Sequence, residues 1–170
     1  MRLLDRLFAV RPDPREEVRD LWAQVVLLAR DPAWYRDCGV ADTLEGRFDM
    51  VTAVLALVVL RMENAASLAA YTAPLTEIFV EEMDGQLRQS GVGDLMVGKQ
   101  IGKLMATLGG RMGAYRAALA VSEEELEQAV HRNVTLADSS RAKTAALRLR
   151  ELAHRLADTR DDALIAGELA

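Results

Sequence analysis

Apolar residues recur along this chain at spacings of three and four over nearly its whole length. That period marks helices with one buried face, and no stretch alternates as a strand would. A first helix is predicted after Pro14, with Glu16 and Glu17 in its first turn and Val18, Leu21, Trp22, Val25, Val26 and Leu28 as its apolar face. It should stop near Asp31 and Pro32, because a proline disfavours helical geometry in the residue before it. An irregular segment is then expected over residues 31–46, carrying Trp34, Tyr35, Gly39 and Gly46. A second helix, about residues 47–63, is apolar on almost every side, which predicts a place at the centre of a bundle.

Residues 68–71 should begin a further helical piece, and Pro74 should restart one through Leu75, Ile78, Phe79, Met83 and Leu87, with Gly91 and Gly93 as the break. Asp94 is a good N-cap for a long helix to about Leu119. Its residues Val97, Ile101, Leu104, Met105, Leu108, Met112 and Tyr115 fall within an arc of roughly 80°. Beside that stripe lie Gly98, Gly102, Ala106, Gly109 and Gly113. Glycine inside a helix costs about 1 kcal/mol relative to alanine, so the series calls for close approach by another helix. Two neighbours are open: a helix of the same bundle, or an apolar helix of a client for which the stripe is a groove floor. Ser122 followed by Glu125 predicts a capped helix through Leu126 and Val130. Asp138 or Ser139 should cap the next, with Leu149, Leu152 and Leu156 as its stripe, and a short helical turn of lower order should follow Asp158.

The expected architecture is all-α: a single-domain bundle of about six helices. Residues 1–12 form a flexible or interfacial segment, 14–119 the core, and 122–170 the C-terminal helices.

Composition narrows the function. The 170 residues hold 21 Lys+Arg against 26 Asp+Glu, a net charge of -5, and 51% of positions are hydrophobic. This balance excludes disorder of the whole chain and gives no clustered positive field for wrapping nucleic acid. Cys38 is the one cysteine, so no internal disulfide can form and a reducing compartment fits. The longest apolar run, residues 50–60, is about half the twenty or so needed to span a bilayer. Near the start, Arg2, Arg6 and Arg11 accompany Leu3, Leu4, Leu7 and Phe8 with only Asp5 as an acid. No signal peptide is expected there; the segment is either a weak interfacial anchor or packs on the bundle or frays.

Gly93, Gly98 and Lys99 approach the spacing of a phosphate-binding loop, but Gln100 stands where a hydroxyl should hold magnesium, and the preceding segment has helical spacing. Glu151 and His154 have the i, i+3 spacing of di-iron bundles, yet His131, the only other histidine, has Glu127 four residues away. Neither a metal site nor a nucleophile with a nearby base is indicated, so no cofactor and no enzymatic activity are expected. Two polar stripes stand out instead. Glu77, Glu81, Asp84 and Arg88 run toward the Gly91 turn, and Lys99 and Lys103 follow it as the only lysines before Lys143.

Trp34 and Tyr35, the run from Gly39 through Asp42, Thr43, Leu44, Gly46, Arg47 and Phe48 to Asp49, then Met83, Asp84, Leu87, Arg88, Gly91, Gly93, Asp94, Val97, Gly98 and Lys99 together carry a resemblance. Over residues 18–119 the chain resembles the ubiquinol-cytochrome c chaperone family, the assembly factors for cytochrome b of respiratory complex III. The C-terminal third is similar only in being helical. The resemblance implies a non-enzymatic chaperone that holds newly made cytochrome b, in the family's mitochondrial members with a small partner subunit near the ribosome. Without a transit peptide the chain looks like a bacterial member, cytoplasmic or peripheral at the inner membrane. Asp42, Arg47, Asp49, Asp84, Arg88, Asp94, Lys99, Gly102 and Lys103 are carried over as a partner-binding surface, with adaptable Met96, Met105 and Met112 nearby. Their structural alternatives are that Asp42, Asp49 and Asp94 cap helices and that Arg47 locks the irregular segment. Two other functions remain open: a nucleotide or small-ligand site at residues 93–99, and a homodimeric scaffold joined through the glycine stripe.

Overall fold

The computed structural model of the chain describes residues 13–89 and 97–169, the side chains of 86–89 and 97–101 excepted. The amphipathic start at residues 1–11, Gly91, Gly93, Asp94 and Met96 lie outside the described residues, as do the side chains of Arg88 and Lys99.

Eight α-helices follow one another: α1 (Arg19–Ala29), α2 (Pro32–Arg36), α3 (Leu44–Glu63), α4 (Ala69–Gln89), α5 (Val97–Val121), α6 (Glu123–Asn133), α7 (Ala142–Asp158) and α8 (Asp161–Ile165). Six are long and two are five-residue turns, so the expected all-α bundle is what forms. The apolar α3 is its axis: residues 49–60 are all buried, and α1, α4, α5 and α7 pack around it. α6 and α7 form a hairpin that closes one side.

Several boundaries differ from the sequence expectation for local reasons. The segment over 31–46 contains a helix, α2, because Asp31 caps it by accepting from the Ala33 N–H at 2.9 Å and Pro32 occupies the first helical position. α3 starts at Leu44, not Arg47, since the Thr43 hydroxyl accepts from the Gly46 N–H at 3.2 Å. Pro74 lies inside α4 rather than restarting it. The C-terminal turn is tied down: Leu164 is fully buried, and Arg61 donates to the carbonyls of Leu156 and Thr159 at 3.0 Å each and to Asp161 at 2.6 Å.

Ser122 caps α6 as predicted, accepting from the Glu125 N–H at 3.2 Å. On α5 the buried stripe is Leu104, Leu108, Arg111, Tyr115 and Ala118, whereas Met105 is 42% exposed. The expected apolar arc is therefore rotated, with an arginine inside it.

Two loops are clipped together where no strand was expected. Ala41 N–H donates to the Thr135 carbonyl at 2.9 Å, the Gly39 carbonyl accepts from Ala137 at 2.8 Å, and Val40 and Leu136 form an isolated antiparallel bridge. Gly39 has φ +74°, and a Cβ there would lie 2.6 Å from the Asp138 carbonyl oxygen, so only glycine fits this clip without strain.

Candidate binding groove

Between α1, α2, the first turns of α3 and the second half of α4 runs an open groove of about 940 Å³. Its position follows from how the chain ends α1. Pro32 cannot continue that helix, and two aromatic side chains of α2 satisfy the carbonyls left over: Trp34 Nε1 donates to Leu28 at 2.8 Å and the Tyr35 hydroxyl to Ala29 at 2.9 Å. α2 is thereby folded back across the end of α1, and Arg148 of α7 stacks on Trp34 at 4.9 Å and pairs with Asp31. One wall of the groove is fixed in this way.

The floor is apolar. Trp22 and Val26 come from α1, Phe48 and Val51 from α3, and Met83 from α4. Phe79 sits beneath them, 6.1 Å edge-to-face from Trp22 and 6.4 Å from Phe48. The rim is polar, with Arg30, Arg36, Asp42 and Arg47 at one side and Glu82 on α4. Leu44, 68% exposed, stands on the lip. Burial pushes the Tyr35 hydroxyl up from its ordinary range, and a 2.7 Å bond from Arg47 holds the Asp42 carboxyl below its own.

Of the carried-over residues, the fold brings Asp42 and Arg47 together at this groove, where their ion pair joins the loop to the first turn of α3. Thr43, not Asp42, is the cap of α3. Asp49 is the exception to a rim placement. It is 7% exposed and its carboxylate is engaged on both oxygens, one with Arg111 of α5, the other with Thr135 N–H at 2.8 Å and Thr135 Oγ1 at 2.7 Å. Asp49 caps nothing and faces no solvent; it wires α3 to α5 and to the clipped loops. Arg111 also lies over the Phe48 ring, 5.6 Å from its centroid, so this internal pair backs the groove floor.

Asp84 follows Met83 on α4 and is half-buried, while Gly102 and Lys103 are exposed on α5 and line no part of the groove. Among the described residues nothing packs against the glycines of the stripe from Gly102 onward. A Cβ at Gly102, Gly109 or Gly113 would meet nothing within 4 Å, so of the two neighbours left open the helix of the same bundle is not the one at these three positions. Alanine there should not clash and should raise stability by about 0.5–1 kcal/mol per site, read as a higher melting temperature. A fall in stability at any of the three would place an intramolecular neighbour against that face.

Sequence reasoning missed Trp22, Arg30, Arg36, Phe48 and Glu82. Trp22 was read only as part of the apolar face of the first helix and Arg30, Arg36 and Glu82 carried no local pattern; the adjacent aromatics Trp34 and Tyr35 beside Pro32 were the signal that α1 ends against a built wall. Among the described residues no group of three or more His, Cys, Asp or Glu could hold a metal ion. Cys38 is buried, and burial pushes its thiol up, away from the thiolate form. The segment before the phosphate-loop-like residues is the helix α4. No single helix among the described residues is long and apolar enough to cross a membrane.

The sequence matches the ubiquinol-cytochrome C chaperone family over residues 36–170. The match includes the C-terminal helices, which the sequence analysis had left outside the resemblance. No curated protein matches the chain in sequence. A solved structure, the crystal structure of the Cbp3 homolog from Brucella abortus, is similar throughout, with 29% identity and a TM-score of 0.82 over 99% of this chain and 96% of that one. The all-helical fold, the clip between residues 38–41 and 135–138 that falls wholly inside the matched region, and the full-length likeness agree: the chain belongs to the ubiquinol-cytochrome c chaperone family, the chaperones of respiratory complex III assembly.

Proposed function

We propose that this chain binds newly made cytochrome b and supports its incorporation into the respiratory cytochrome bc complex, without catalysing a reaction. The observation that carries the reading is the groove: an open apolar floor of Trp22, Val26, Phe48 and Met83 under an arginine-rich rim, in a member of this chaperone family. A membrane protein before insertion exposes helices that are apolar on every side, and such a helix laid in a groove of this kind exchanges water for apolar contact. Methionine on the floor adapts to side chains of different shape. Asp42 and Arg47 belong to the binding surface in this reading, with Asp84, Gly102 and Lys103 on the α4 and α5 side as a second contact. Arg88, Asp94 and Lys99 are proposed for the same side from sequence alone. The protein is a bacterial member acting in the cytoplasm at the inner membrane, where residues 1–11 give it peripheral contact and a small partner subunit or the ribosome hands it the client.

Site-specific photocrosslinking in cells tests this. A crosslinker at Leu44 or Arg36 should capture cytochrome b, and one at Lys143 on α7 should not. Capture from Gly102 alone would move the site to α5, and capture from none of these positions would refute the client assignment.

A further inference from the structure

The cations lining the groove gather where α1 stops. α1 runs along it from Trp22 and Ala23 to Arg30, eight residues, which at 1.5 Å per residue is about 12 Å, or two turns of a helix laid beside it. Glu82 and Met83 of α4 line it as well, and Phe79 holds that helix against both Trp22 and Phe48. Where α1 stops, Arg30, Arg36 and Arg47 gather around Tyr35. The charges acting on the Tyr35 hydroxyl there are those of Arg47, Asp42 and Arg30.

The basic end has charge to spare. Asp42 is committed to Arg47 at 2.7 Å. Arg36 reaches only Asp37, at a loose 3.7 Å with both side chains largely exposed. The Arg30 side chain makes no hydrogen bond or ion pair among the described residues. Three guanidinium groups therefore line this end against two carboxylates, Asp42 held tightly by Arg47 and Asp37 loosely by Arg36.

We propose that the groove accepts an apolar helical segment in one orientation, with a carboxylate-bearing C-terminal end at Arg30, Arg36 and Arg47. This rests on the reading that the groove is the client site and adds which kind of segment it takes and which way round. A helix carries partial positive charge at its N-terminus and partial negative charge at its C-terminus, where four carbonyls lack partners. The arginine forks match the C-terminus, because each guanidinium can grip a carboxylate through two parallel bonds as well as capping free carbonyls. The apolar floor takes side chains at i, i+3 or i+4 and i+7, and exposed Leu44 extends it at the arginine end. An oppositely directed helix would put its N-terminus against three cations.

The test uses the full chain and four labelled Leu/Ala peptides, stapled to equal helicity: two Glu, two Gln or two Lys at the C-terminus, and two Glu at the N-terminus. Fluorescence anisotropy should give the C-terminal Glu peptide at least tenfold tighter binding than the C-terminal Lys peptide and the N-terminal Glu peptide. In the Arg30→Glu/Arg36→Glu variant, whose two changed side chains are exposed, the preference should invert toward Lys. Equal binding of the four, a preference that survives the charge reversal, or no binding by any peptide would each overturn the proposal. If cytochrome b is captured from Leu44 while the peptides bind equally, the orientation rule fails and the client assignment stands; the reverse pair of results keeps the rule and removes the client.

Discussion

Replacing Asp49 by alanine should destabilise the protein by about 3–5 kcal/mol, the cost of leaving a buried ion without its partner. The carboxylate serves three groups at once: Arg111 on α5 and both the N–H and the hydroxyl of Thr135. Without it a guanidinium that is 8% exposed and a backbone N–H lose their acceptors in a site that water reaches poorly. At this chain length the loss corresponds to a fall in melting temperature on the order of 10 °C. The double variant Asp49→Ala/Arg111→Met should recover much of the loss, since replacing both members of a buried pair by apolar groups is often close to neutral. Denaturant titration of the two single variants and the double measures both numbers. A single variant that melts with the unmodified protein would show that the pair carries no weight in the fold. Because Arg111 also rests on Phe48, the single variants should loosen the groove floor and weaken whatever binds there.

Gly46→Ala should be about as damaging, by 3 kcal/mol or more, although it adds one methyl group. The new Cβ would stand 2.0 Å from the Ala41 carbonyl oxygen and 3.0 Å from its carbon. Both are backbone atoms, so no side chain can rotate out of the way. Relief requires the first turn of α3 to separate from residues 38–41, and that segment is held in place by its clip to residues 135–138. Leu44 and Arg47, which line the groove, ride on the displaced turn. Gly85→Ala on α4 is the control: a Cβ there meets nothing within 4 Å, so it should leave stability unchanged or slightly higher. Equal melting of the Gly46 and Gly85 variants would mean that α3 and the loop do not approach this closely in solution.

The elements that sequence periodicity located are those whose burial is set by their own composition. α3 could go nowhere but the centre, since a helix apolar on all sides has no face to offer water. The hairpin of α6 and α7 was equally legible, because Ser122 satisfies a local N–H and the stripe of Leu149, Leu152 and Leu156 is unambiguous. α5 was legible only in part. Leu104 and Leu108 went inward as expected, but Met105 turned out and Arg111 turned in, because the partner for that arginine is Asp49, sixty-two positions earlier in the chain. No local pattern can announce a pairing across that distance.

The candidate site was less legible than the fold. Asp42 and Arg47 were singled out because they lie in a compact run whose residues carry the family resemblance; Trp22, Arg30 and Glu82, which line the groove with them, are scattered over sixty residues, on α1 and its end and on α4. Asp49, in the same run, looked like a rim residue by its neighbours in sequence and is an internal one by its neighbours in space.

The sequence by itself determined that this chain is an all-helical bundle built around a helix at about residues 47–63, and through its residue pattern it pointed to a chaperone family. Both follow from interactions within a few residues: the helical repeat, caps and the entropy of glycine and proline. Only the tertiary structure decided which polar residues are inside, that Gly102, Gly109 and Gly113 face open space, and that α1, α2, α3 and α4 enclose a groove lined by Arg30, Arg36 and Arg47. Those depend on which helices meet, and that is settled by burial of apolar area and buried charge pairing across the whole molecule.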